Sequence, residues 1–67
     1  MKRGTILFEN GMRFRAEDLS EVELISRHAP GQWEVQRYEM DFDQEELVEA
    51  DRPILTEYDL KRMEMIN

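Results

Sequence analysis

Cysteine is absent from the 67 residues, and His28 is the only histidine. That excludes a disulfide framework and any zinc site built from cysteine and histidine, the two devices with which small domains often offset a thin core. Apolar burial has to hold the fold unaided, yet a domain of this size hides only about 60% of the surface its unfolded chain exposes. Long apolar runs are missing too. The opening MKRG leads into four or five apolar residues, too few for a secretory core or a bilayer span, so a single cytoplasmic domain is the expectation.

Catalytic inventory is equally thin. There is no thiol nucleophile, and Ser20, Ser26, Thr5 and Thr56 have only His28 to serve as an imidazole base, directly before the turn-forming Ala29-Pro30-Gly31. Carboxylates abound, but acid catalysis needs one of a pair held in an apolar pocket, and a chain this short has little from which to build it. No catalytic or cofactor-binding residue is expected, and no cofactor. Asp41-x-Asp43-x-Glu45 begins like a calcium loop, but Glu46 stands where the loop needs glycine and Arg52 where it needs a bidentate glutamate. No dedicated metal site is expected either.

What the chain has in excess is negative charge. Sixteen acids face nine bases, for a net charge of -7. The stretch Glu39–Asp51, EMDFDQEELVEAD, holds Glu39, Asp41, Asp43, Glu45, Glu46, Glu49 and Asp51 and no base. The rest of the chain is neutral by count. This field opposes direct binding to nucleic acid or to anionic membranes, and it points to a basic protein surface as the partner. A solvated face that serves solubility alone is the plainer alternative. If Glu39–Asp43 is extended, Glu39, Asp41 and Asp43 point one way at a spacing of about 6.5 to 7 Å and Tyr38, Met40 and Phe42 the other. Such a row has the character of a nucleic-acid decoy, or of a strip that docks in a groove lined with arginine and lysine.

The chain reads as mainly β. Asn10-Gly11 predicts a two-residue type I′ hairpin over Gly4 to Ala16, pairing Phe8 with Arg13 and Leu7 with Phe14, with Leu7, Met12, Phe14 and Ala16 facing inward and Ile6 and Phe8 outward beside Arg13 and Arg15. Residues 20–28 allow either a strand or a helix capped by Ser20 and Glu23, with the strand favoured because so short a helix has little support of its own. Gln32–Phe42 is the longest strand candidate. Its apolar parity switches from Trp33 and Val35 to Tyr38, Met40 and Phe42, which predicts a bulge or corner of the kind small barrels use. Gln44–Asp51 is left open between loop, strand and short helix. Ile54-Leu55 reads as a short buried strand. Thr56 and Asp59 form a capping box with Leu55 and Leu60 as its hydrophobic staple, so a short helix starts there. Leu60 and Met63 should face the core, and Met65 and Ile66 are expected to fray.

Taken together, a Gly4-led strand, a tight hairpin, the Trp33-x-Val35 strand and the closing Ile54-Leu55-Thr56-x-x-Asp59-Leu60 segment resemble small SH3-like barrels of about five short strands ending in a helical turn. Such barrels host protein binding, RNA binding and scaffolding, and the fold does not choose among them. In size and charge the chain is similar to phage proteins that bind and disable host factors. The expected function is therefore a non-enzymatic acidic protein-binding module that occupies a basic surface through Glu39–Asp51, with an inhibitor or nucleic-acid mimic as its concrete form. The alternative is an assembly domain with apolar contacts through Ile6, Phe8, Tyr58 and the terminal helix, and an RNA-binding barrel comes third.

Overall fold

In the computed structural model, residues 7–67 are described. They form one antiparallel sheet of six strands and one short helix: β1 (Arg13–Arg15), β2 (Glu21–Ala29), β3 (Gln32–Asp41), β4 (Glu46–Glu49), β5 (Ile54–Thr56), α1 (Glu57–Lys61) and β6 (Glu64–Met65). The strand order is β4-β3-β2-β1-β6, with β5 also on β3. One edge of β3 pairs with β2, and its other edge is shared by β5 at Gln32–Glu34 and β4 at Tyr38–Asp41. Among the described residues the sheet is not closed.

Residues 20–28 resolve as strand. Val22 and Leu24 are buried on one side of β2, and the helical capping box has no counterpart, because the Ser20 hydroxyl donates instead to the Asp18 carboxylate at 2.6 Å. The core gathers Phe8, Phe14, Val22, Leu24, Trp33, Val35 and Leu60, with Met12, Leu55 and Met63 packed against it. α1 contributes the fully buried Leu60. Its capping box is complete, with Thr56 accepting from the Asp59 amide and Asp59 accepting from the Thr56 amide. The staple partner Leu55 rests against the core, whereas Ile54 faces outward and is exposed rather than buried.

Three further expectations change. The Asn10-Gly11 turn exists, with the Met12 amide donating to the Glu9 carbonyl at 3.3 Å, but only Gly11 has positive φ (91°), which is the type II pattern and not type I′. Among the described residues, Leu7–Glu9 form no strand and do not pair with β1. β1 pairs with β2 on one side and β6 on the other, Phe8 turns in to meet the Phe14 ring at 5.8 Å, and Leu7 is 76% exposed. Gly4, Thr5 and Ile6 lie outside the described residues. Secondly, Met65 and Ile66 are held rather than frayed: Met65 stands opposite Phe14, and the Ile66 amide donates to the Arg13 carbonyl at 2.9 Å.

Thirdly, β3 has no corner. Its register against β2 is regular from Val35 to Tyr38, and the shifts fall between Leu24 and Ser26 and between Arg27 and Ala29. Both extra residues, Ile25 and the exposed His28, therefore belong to β2. On the opposite edge Arg37 faces two residues at once: its amide donates to Asp51 at 2.9 Å and its carbonyl accepts from Ala50 at 2.8 Å. This bulge joins β4 to β5. The parity switch in β3 reflects the coverage of its two sides, with Trp33 and Val35 in the core on one and Tyr38 and Met40 half-buried on the other.

Candidate functional site

Alternation along β3 places Glu39 and Asp41 on the side that carries Trp33 and Val35 further down the strand, and Tyr38 and Met40 on the reverse. Register adds the partners: Val48 opposite Glu39 and Glu46 opposite Asp41 on the first side, and Leu47 opposite Met40 and Glu49 opposite Tyr38 on the second. β2 leaves β3 at Tyr38, so Glu39 to Val48 forms a two-stranded ribbon reaching past the core. The ends of the chain's long dimension are far apart, with extents of 45 × 23 × 16 Å and a radius of gyration of 12.4 Å against about 11 Å for a compact chain of this length.

The unassigned half of the acidic stretch thus becomes a turn at residues 42–45 followed by β4. Asp41 makes the turn. Its Oδ1 accepts from the amides of Asp43 at 3.0 Å and Gln44 at 3.2 Å, an Asx arrangement that offers the backbone acceptors the ribbon itself cannot supply. Glu45 closes the turn at φ 57°, a left-handed conformation that disfavours a residue with a Cβ. Phe42, expected to continue the strand on the side of Tyr38 and Met40, lies in the turn and is 70% exposed.

Arg37 stands at the foot of the ribbon. Its Nη2 donates to Glu39 Oε2 and its Nε to Asp51 Oδ1, both at 2.6 Å. These two carboxylates raise the Arg37 guanidinium above its ordinary value, the Glu39 hydrogen bond contributing most, and the hydrogen bond from Arg37 holds the Asp51 carboxyl below the usual range. Behind this clamp lies Gln36, only 5% exposed. Its amide nitrogen donates to the carbonyls of Arg37 (3.1 Å), Ala50 (3.2 Å) and Asp51 (3.4 Å), and its oxygen accepts from Arg52 Nε at 2.6 Å. Gln36 so gives the Ala50 carbonyl a donor at the β4–β5 bulge and adds a second one to the Arg37 and Asp51 carbonyls, which already accept from backbone amides.

The seven acids therefore do not act alike. Glu39 and Asp51 are paired with Arg37, and Asp41 is spent on the turn. Among the described residues Asp43, Glu45, Glu46 and Glu49 are exposed and make no ion pair. The expected row of Glu39, Asp41 and Asp43 on one side is not built, because the strand ends at Asp41 and Asp43 sits in the turn. The Arg37 clamp was open to inspection as an Arg-x-Glu pair, two apart on one strand side. The role of Gln36 had no such signal.

Away from the ribbon, Arg13 lies over the Tyr38 ring at 4.6 Å and pairs with Glu21 at 3.5 Å, while its Nε is buried without a hydrogen-bond partner among the described residues. Trp33 is buried, donates its indole N–H to Glu57 Oε2 at 3.2 Å and is overlain by Arg27 at 5.0 Å. Phe8 and Trp33 are thereby unavailable as stacking platforms. Among the described residues no group of three metal-ligating side chains converges, and no helix is long and apolar enough to cross a membrane. No family model matches the chain, and no curated protein or solved structure matches it.

Proposed function

We propose that the protein is a non-enzymatic, cytoplasmic binding module that docks its β3–β4 ribbon on a basic surface of another protein. The observation that carries this reading is the ribbon itself: a projecting hairpin with a fixed turn, an exposed Phe42 at its apex and four acids, Asp43, Glu45, Glu46 and Glu49, without ion pairs among the described residues. Like charges gathered on one ribbon repel, and a basic partner relieves that repulsion. Aromatic residues, phenylalanine included, are enriched at protein interfaces, with charged groups kept to the rim. The inhibitor form of the proposal has the ribbon occupying a nucleic-acid-binding groove. The SH3-like kinship is part of the same proposal, supported by the Thr56–Leu60 cap that links β5 to β6.

Partners captured from the native cell and identified by mass spectrometry supply the material for the test. Asp43, Glu45, Glu46 and Glu49 are replaced together by Asn or Gln, leaving the turn-forming Asp41 intact. Binding should fall at least tenfold, and wild-type affinity should drop steeply with added salt. Full retention by the quadruple variant refutes the ribbon as the contact. Apolar assembly is the second reading, favoured by Tyr58 at 71% and Ile54 at 44% exposure. Phe8, buried in the core, leaves that surface. Salt-indifferent binding lost in Tyr58→Ser would select it, and a mobility shift of RNA at low salt would select the RNA-binding reading.

A further inference from the structure

A cleft of about 430 Å³ opens between α1 and the corner after β1, lined by Ala16, Glu17, Leu55, Asp59, Arg62 and Met63. It lies apart from the acidic ribbon and falls within the usual size range of ligand sites. Leu55 and Met63 pack on the core yet remain only partly buried, so the floor is apolar surface that the described residues leave partly uncovered. The rim is charged. Among the described residues Glu17, Asp59 and Arg62 make no ion pair. Asp59 is held in place because its Oδ2 accepts from the Thr56 amide at 3.1 Å and hydroxyl at 3.0 Å, which leaves Oδ1 for another donor. Arg62 is braced against the Tyr58 ring at 5.8 Å.

We propose that this cleft binds a peptide segment in which an aliphatic side chain precedes a lysine. The aliphatic group covers Leu55, Met63 and Ala16, the ammonium sits between the Glu17 and Asp59 carboxylates, and the Arg62 guanidinium donates to peptide carbonyls. Charge complementarity selects the cation: the held Asp59 carboxylate and the exposed Glu17 carboxylate outweigh one guanidinium, so a lysine gains where a glutamate is repelled.

The test titrates the full-length protein, labelled at its methyl groups, with three probes: the N-acetyl methylamides of Leu-Lys, Leu-Gln and Leu-Glu. Saturable shifts confined to Ala16, Leu55 and Met63 are expected, with the Leu-Lys probe at least about threefold tighter than Leu-Gln, the increment of a partly exposed ion pair, and Leu-Glu weakest. Glu17→Gln, an exposed residue without a hydrogen bond to the fold, should shrink the lysine preference while the shifts remain. Ala16→Leu, which fills the cleft, should remove them. Absence of saturable shifts, equal affinity for the three probes, or a preference untouched by Glu17→Gln overturns the proposal. So does movement of the same resonances when the protein alone is concentrated, which would assign the cleft to a second copy.

Discussion

The two ends of β3 differ in what they rest on. At Trp33 and Val35 the strand is flanked by β2 and β5 and sealed by Leu60 from α1. From Glu39 onward it has β4 alone, and a two-stranded ribbon is marginal in water. The first end is stabilised by burial and the second by local polar devices: the Asp41 cap, the Arg37 clamp and the Gln36 plug. One strand can thus anchor a core and carry a displayed surface, with the transition at Gln36 and Arg37. The arrangement leaves the ribbon free to vary in charge while the fold is held elsewhere.

The largest expected contrast comes from a pair of truncations. Leu60→Ala empties a fully buried site and should cost about 2–5 kcal/mol, whereas Phe42→Ala at the exposed apex should stay within about 0.5 kcal/mol. Urea unfolding of both checks this, and equal losses would erase the distinction between the two ends. Gln36→Ala comes next. It strips the Gln36 donor from the Ala50 carbonyl and the Gln36 acceptor from Arg52, while the Asp51 carbonyl keeps the Arg37 amide, so a loss of about 1–3 kcal/mol is expected. Hydrogen exchange should accelerate first at Ala50 and in β4, ahead of β2. Glu45→Gly acts in the other direction: it relieves the left-handed backbone and should stabilise by up to about 1 kcal/mol, read as a higher urea midpoint.

The smallest effect is on pH dependence. Asp51 has a folded pKa depressed by Arg37, so its contribution is complete above the ordinary aspartate value of about 3.9 and is lost as pH falls through the depressed folded value. Asp18 follows the same sign, its carboxyl lowered first by the Ser20 hydroxyl and then by the Ser20 amide. Stability followed from pH 5 to pH 2 should decline slightly less in Asp51→Asn than in the wild type. Identical slopes would show that the clamp adds nothing.

What the sequence made legible was local. The Thr56–Asp59 box and its staple are spaced within six residues and appear as read, and the apolar alternation of Val22 and Leu24 suffices for β2. Asn10-Gly11 reports a turn, but the turn type depends on Asn10 avoiding positive φ, and that conformation goes together with Phe8 meeting Phe14, a contact that the dipeptide does not encode. The parity switch in β3 was visible while its cause was not, since the bulges are on the partner strands. Of the acidic stretch, composition gave the charge and hid the division of labour: Asp41 looks like its neighbours until the backbone turns around it. β6 left no trace in the sequence because two residues carry too little pattern to announce a strand.

That last strand sets a condition on how the molecule is made. Met65 stands opposite Phe14, so the pair joins residues 51 positions apart (65 minus 14), and loop closure over such a span delays the contact. Until it forms, β1 offers a bare row of amides and carbonyls, the kind of edge that recruits strands from other molecules. Glu64–Asn67 therefore works as a stopper on the first strand, with Asn67 itself accepting from the Arg13 amide at 2.7 Å. A chain shortened after Met63 should show concentration-dependent association by light scattering at concentrations where the full chain stays dispersed.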